Sequence, residues 1–363
     1  MNRNNTSEKG IRFEDTQWLS ALRLFVMFVV LFCHFEYQAY EYAYGTNLEI
    51  VWLSEDSPLQ FWLYGIYGKY FFAMMCLVSG AVAALQTVNG KAGKPVQYAV
   101  KRYIRLQLPV FAMSFVYIAT DLLTYRRYTA SMILKGMFVL GDCSLDDHLW
   151  ALIDFYIGSF VVYLIYYFLP KRKILRILLM LAIAAGGFVW LGGNTSNYLW
   201  IFPTVLGGVL YEILDFIAVR EQDIPAKFAW LLLLIPVMIL RRGHESFIMY
   251  WRNTACMLVV VPLMRLTGFH RLLNKLYSTK TVHEWGAMSF SIFCIHGWIN
   301  TYIVATLMRL YGNELSEHLA FPYIIGFMTL LVLTFWASRI MYQYVERDLY
   351  RKISAKITQY ITF

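Results

Sequence analysis

The chain is short of charge. Of its 363 residues only 15% are Asp, Glu, Lys or Arg, while 59% are hydrophobic and the mean hydropathy is +0.50. That balance excludes an ordinary soluble enzyme, whose surface calls for roughly a quarter of charged residues. The Gly-rich turns of a soluble α/β fold are missing too. Cysteine is scarce: Cys33, Cys76, Cys143, Cys256 and Cys294 make an odd count with no C-x-x-C pair. Neither a disulfide framework nor a zinc site is indicated, and small buried hydrophobes are the expected role. No metal is expected elsewhere. No repeat or low-complexity stretch occurs, and no second soluble domain fits around the apolar runs. The first apolar run lacks a small-residue cleavage site, so it is expected to be an uncleaved span rather than a signal peptide.

What the chain does have is long apolar runs and aromatics, with 11 Trp, 27 Tyr and 26 Phe, enough for two interfacial belts. Apolar length places ten spans, at about Gln17–Phe35, Phe61–Leu85, Leu106–Tyr125, His148–Leu169, Ile174–Leu191, Tyr198–Ala218, Ala226–Leu240, Phe247–Thr267, Gly286–Tyr311 and Ala320–Val345. Segment Tyr128–Leu140 is too short and too polar to span and reads as interfacial or re-entrant. The expected fold is all-α, a polytopic membrane helix bundle of about ten transmembrane helices. Residues 1–16 form an N-terminal segment, 17–345 the integral membrane domain and 346–363 a C-terminal tail.

The net charge of +9 is read as topology rather than as contact with nucleic acid. Basic residues crowd alternate connections: Arg3 to Arg12, Lys91 to Arg105, Lys171 to Arg176, Arg220 and Lys227, Arg265 to Lys280, and Arg347 to Lys356. The opposite connections hold only Arg126, Arg127, Lys135, Arg241, Arg242 and Arg309. By the positive-inside rule both termini are expected to be cytoplasmic, which agrees with an even span count placing them on one side.

Orientation gives each intramembrane charge a depth. Arg23 and His34 share one face of the first span, eleven residues and so about 16 Å apart. His34, Lys69, Asp121, Asp154 and Arg252 fall in the outer half and His296 near the middle, while Arg23, Glu212, Asp215 and Arg339 lie toward the cytoplasm. Ionisable groups inside a bilayer are costly and face a bundle interior, so matching depths point to one polar cavity open to the outside. Arg339 and Asp215 read instead as pairing or snorkelling groups. The first outer loop, Glu36–Gln60, sets carboxylates among aromatics and has no Lys or Arg. In KRYIRLQLP, Lys101–Pro109, Arg102 and Arg105 are i, i+3 neighbours whose guanidiniums suit phosphate oxygens.

At these residues the chain resembles the acyltransferase-3 family of membrane-bound acyltransferases, along essentially its whole length. Arg23 and His34 match the family's arginine, ten residues, histidine pattern. Phe71–Gly80 (FFAMMCLVSG) is similar to its second span, and Arg102-x-x-Arg105 to its R-x-x-R motif at the start of the third. His148–Tyr156 (HLWALIDFY), Phe202–Gly208 (FPTVLGG), Ser289–Ile299 (SFSIFCIHGWI) and Tyr344–Lys352 (YVERDLYRK) resemble further family blocks in the right order. Asp348 stands where the family usually has proline. Ala151–Asp154 lacks the paired glutamates of many saccharide-modifying members. No hydrolase-like domain follows the last span, so a stand-alone member is expected.

The resemblance implies acyl-CoA, usually acetyl-CoA, as cytoplasmic donor and a hydroxyl of a surface polysaccharide or other glycan as acceptor at the outer face. The expected setting is the cell (plasma or inner) membrane, with the lipid bilayer as a partner. Arg102, Arg105 and Lys101 would hold the donor phosphates, and Arg23 would bind the donor or line its passage. His34 would be the base, since a neutral imidazole titrates near the working pH, or a transient acyl carrier. Asp154 or Asp121 would orient its ring. The alternative is a polar-solute transporter or channel gated by the same charges. Reporter fusions after Lys94, Lys173 or Lys275 should read as cytoplasmic and those near Asn47 or Asn194 as external. The same side for Asn47 and Lys94 would defeat the ten-span topology.

Overall fold

A computed structural model describes residues 16–45, 68–124, 128–190, 197–220, 247–312 and 320–361, and among these no strand occurs. The chemistry of the sequence dictates this. A bilayer interior offers no water to a peptide group, and a helix satisfies its own backbone. The helices are α1 (Gln17–Gly45), α2 (Gly68–Val88), α3 (Pro95–Leu123), α4 (Ala130–Phe138), α5 (Ala151–Phe168), α6 (Lys173–Trp190) and α7 (Ile201–Arg220). After them come α8 (Phe247–Leu266), α9 (Phe269–Tyr277), α10 (Lys280–Ala287), α11 (Ser289–Trp298), α12 (Ala305–Gly312), α13 (Ala320–Met341) and α14 (Tyr350–Tyr360). Two π-helical segments, Ile299–Val304 and Tyr342–Leu349, join α11 to α12 and α13 to α14.

Eight helical runs among the described residues are long and apolar enough to cross a membrane, and α8 with α9, bent by 82°, makes a ninth. These are the expected spans apart from the seventh, Ala226–Leu240, which lies outside the described residues. So do residues 46–60 of the first outer loop and the side chains of Glu36, Glu41 and Lys69. Two helices outrun their hydropathy. Helix α1 continues to Gly45, and the last span runs on as one helical rod to Tyr360. Polar residues ended the apolar windows, but neither Gly nor Pro interrupts either extension, so nothing stops the backbone ladder.

Helix α2 lies at the centre, against α1, α5, α7 and α8. Its crossing with α7 is backbone on backbone. A Cβ on Gly80 would land on the Thr204 carbonyl oxygen, and one on Gly207 would land on the Leu77 carbonyl oxygen. Helices in lipid associate through such small-residue contacts because apolar burial alone gives little preference over lipid. Gly158 admits Thr204 to α5, and Gly208 admits Met180 of α6. The FPTVLGG stretch is thus the hub of one half of the bundle. The outer surface stays apolar, with Leu123 87% and Trp190 82% exposed, as a lipid-facing surface requires.

Two polar arrangements brace the frame. Buried Arg176 donates to Glu212 Oε1 from Nε at 2.9 Å and Nη2 at 2.6 Å, and from Nη1 to the carbonyls of Leu169 and Pro170 at 2.9 and 2.6 Å. Tyr166 donates to the same carboxylate at 2.9 Å, and Lys173 pairs with Glu212 at 3.3 Å and Asp215 at 3.6 Å. Glu212 and Asp215 are therefore frame residues, and Arg339 pairs with Glu284 at 3.9 Å on the exposed side.

The second brace is a re-entrant excursion. Helix α4 turns back beside α3, where Gln107 Nε2 donates to the Met137 carbonyl at 2.8 Å and Tyr103 Oη to that of Phe138 at 2.6 Å. The chain then returns, so that Tyr117 donates to Asp146 at 2.5 Å. Nine residues cannot cross a bilayer, and buried Gln107 satisfies carbonyls that end inside it.

Gly207→Val should lower the thermal midpoint in detergent, because overpacking costs about 1–3 kcal/mol of stability. Gly186→Ala, where a Cβ meets nothing, should leave it unchanged or raise it slightly. Equal midpoints for the two variants would mean that the α2–α7 crossing is not tight.

Candidate functional site

The site is assembled on α1 and α11, which share the centre of the second half of the bundle. His34 sits late in α1, beyond the Arg23 turn by about 16 Å of helix rise. His296 lies on α11 and is completely buried. The two rings meet in a near-parallel arrangement, with centroids 4.9 Å apart and planes 13° apart, and His34 Nδ1 stands 2.6 Å from His296 Nε2. His296 Nδ1 lies 2.7 Å from the Phe293 carbonyl and 3.3 Å from that of Ile292.

These distances assign the protons. A carbonyl only accepts, so His296 carries its proton on Nδ1 and donates it to Phe293. Its Nε2 then holds a lone pair, and the proton of the 2.6 Å contact belongs to His34 Nδ1. In the neutral ring the basic lone pair of His34 is therefore on Nε2. Asn300 Nδ2 donates to the His34 backbone carbonyl at 2.9 Å and fixes that turn of α1. Asn300 belongs to the π segment that follows α11, and such insertions often mark functional sites.

At the near end of the same helices lies a cluster of cations. Arg102 donates from Nη2 to Ser79 Oγ at 3.0 Å, and Arg23 from Nη2 to Ser20 Oγ at 3.0 Å. The Nε atoms of both are buried and have no hydrogen-bond partner. Arg105 is exposed, with its guanidinium 5.8 Å above the Tyr350 ring. Arg23 lies within electrostatic reach of Arg102, Arg105 and Glu346. Glu346 is half-buried and accepts a hydrogen bond from Ser291, about one and a half turns before His296. Lys101, in the same turn as Arg102, is half-buried.

Beyond the histidines, α11 and the π segment meet the re-entrant excursion. Trp298 Nε1 donates to Thr120 Oγ1 at 3.0 Å, and the Tyr128 and Tyr302 hydroxyls stand 3.2 Å apart. Asp121 accepts from the Tyr128 amide at 2.9 Å, which makes it a cap for the turn after α3.

The structure thus brings Arg23, Arg102 and Arg105 together and sets His34 on the same helix as the first of them. It does not bring Asp154 to His34 by a hydrogen bond: neither carboxylate oxygen of Asp154 has a partner, and its side chain is fully buried in α5. His296 takes the place expected for a carboxylate. Ring pairing across 262 residues of sequence leaves no local signature, although an intramembrane histidine within a quoted block was a usable signal. Arg252 stands on α8, with a buried Nε that has no hydrogen-bond partner. No group of three or more His, Cys, Asp or Glu side chains suited to a metal occurs among the described residues.

A multi-pass bundle of long apolar helices, with a histidine pair inside it and arginines gathered at one end, defines an integral membrane protein. Residues 16–343, nearly the whole chain, match the acyltransferase domain of the acyltransferase-3 family, and the chain belongs to that family: it is a membrane acyltransferase. No curated protein and no solved structure matches the chain.

Proposed function

We propose that this acyltransferase moves an acyl group, acetyl being the simplest, from cytoplasmic acyl-CoA to a hydroxyl of a surface polysaccharide or other glycan at the outer face. One observation carries the reading most of the way. The hydrogen-bonded pair His34–His296 stands on helices whose other ends hold Arg23, within electrostatic reach of Arg102 and Arg105, and Ser291, which holds Glu346 beside Arg105.

Each part has a physical task. Coenzyme A carries phosphates, and planar guanidiniums grip phosphate oxygens in pairs, which an ammonium does not. The partnerless Nε atoms of Arg23 and Arg102 are donors that an anion would satisfy. A sugar hydroxyl is a poor nucleophile until its proton has somewhere to go. His34 Nε2 accepts that proton as the hydroxyl oxygen bonds to the thioester carbonyl carbon. The carbon–sulfur bond then breaks, and the proton passes to the departing thiolate, so the ring returns to its neutral state. His296 holds Nδ1–H of His34 in the matching tautomer and shares the charge while it lasts. The positive-inside bias of the sequence supports the direction, with the arginine end cytoplasmic.

His34→Ala and His34→Gln should both lower the transfer rate by about 10²–10⁴-fold while acyl-CoA binding is kept. His296→Leu should lower kcat and leave the donor KM alone. Arg102→Ala with Arg105→Ala should act oppositely and weaken the donor by roughly tenfold or more for each guanidinium. Parallel assays of acyl transfer and of donor binding in detergent check all of these. Appreciable transfer by the Gln variant would remove His34 from the chemistry, and unchanged donor affinity in the double arginine variant would remove the donor site.

A further inference from the structure

The family match ends at residue 343, yet the helical rod does not. Through the π segment Tyr342–Leu349 and α14 it runs back along the start of α3. Gln97 Nε2 donates to the Ile361 carbonyl near one end of this contact, and Arg105 lies over Tyr350 at the other. The first turns of α3 therefore lie beside α14, running in the opposite direction.

The faces that meet are chemically specific. Tyr350 lies within electrostatic reach of Arg102 as well as under Arg105, and Glu346 within reach of both Arg105 and Arg23. The cation cluster is thus closed on one side by residues of the C-terminal rod. We propose that the C-terminal rod forms a wall of the anion site. In it Tyr350 is a positioning residue that holds the Arg105 guanidinium toward the phosphate groups of an acyl donor. This rests on the donor reading above and deepens it.

Three physical points support the assignment. Arg105 is exposed, and a long cationic side chain at an exposed position is mobile unless something holds it. An aromatic face attracts a guanidinium and leaves its N–H edge open for phosphate. The rod is uninterrupted because neither Gly nor Pro occurs between Phe327 and Ile361, and Asp348 permits the helix where a proline would remove a backbone donor. Tyr350 reaches Arg105 only if that helix persists.

The test uses the full-length protein and acetyl-CoA as probe, with Arg105→Ala, Tyr350→Ala, Tyr350→Phe and the double variant Arg105→Ala/Tyr350→Ala. Tyr350→Ala should raise the donor KM about two- to five-fold, as loss of a partly exposed cation–π contact would, with the rate at saturating donor kept. Tyr350→Phe should restore the parent KM, because the ring and not the hydroxyl acts. In the double variant the loss should equal that of Arg105→Ala alone. If Arg105→Ala weakens the donor but Tyr350→Ala does not, the wall is refuted while the donor site stands. If Tyr350→Phe is as impaired as Tyr350→Ala, or the two losses simply add, the positioning role is refuted. If Arg105→Ala leaves donor KM unchanged, the donor reading itself fails.

Discussion

A histidine in the middle of an apolar bundle must spend its ring nitrogens on partners, and here one hydrogen bond determines most of the site. The 2.6 Å contact between His34 Nδ1 and His296 Nε2 requires α1 and α11 to stand side by side at that depth. It also fixes which nitrogen of each ring is protonated, since the Phe293 carbonyl accepts from the far side of His296. A neutral pair of this kind avoids the cost of an isolated buried charge.

The same two helices set the distance between the histidine pair and the cations. Arg23 and His34 are separated by about three turns of a single uninterrupted helix, so their spacing cannot change without bending it. On α11, Ser291 and His296 are separated by only about 7.5 Å. Glu346 reaches Ser291 from the C-terminal rod and so ties the arginine cluster to the helix that carries the buried imidazole. The other half of the bundle is a frame. Gly80 and Gly207 bring α2 and α7 into backbone contact, and Ser79, next to the first of these glycines, receives the Arg102 guanidinium. Helix packing and the seating of Arg102 are therefore joined at two consecutive residues.

The sequence conveyed the local parts well and the long-range ones poorly, for physical reasons. Apolar length and basic asymmetry revealed the bundle. The eleven-residue interval from Arg23 to His34 and the i, i+3 pair Arg102 and Arg105 were legible because helical spacing is a local property. The partner of His34 was not. Nothing near His34 in sequence indicates that α11 will face it, and chemical habit favours a carboxylate, which is why Asp154 was attractive. The α2–α7 crossing was visible only as small residues in two motifs, because a close approach depends on two backbones at once. Helix α1 and the rod that α13 begins run past the apolar spans to Gly45 and Tyr360, because hydropathy reports burial in lipid, whereas a helix stops where its backbone does. The π segments carry no change of apolar period by which to read them.

If the arginine cluster and the histidine pair serve one reaction, donor and acceptor approach from opposite sides of the membrane. Vesicles with the protein in one orientation test this most directly, with labelled acetyl-CoA sealed on the side of Arg102 and Arg105 and a soluble glycan acceptor on the other. The account predicts labelled acceptor in this arrangement and none when the two compartments are exchanged. Labelling that occurs only when donor and acceptor share a compartment would contradict it.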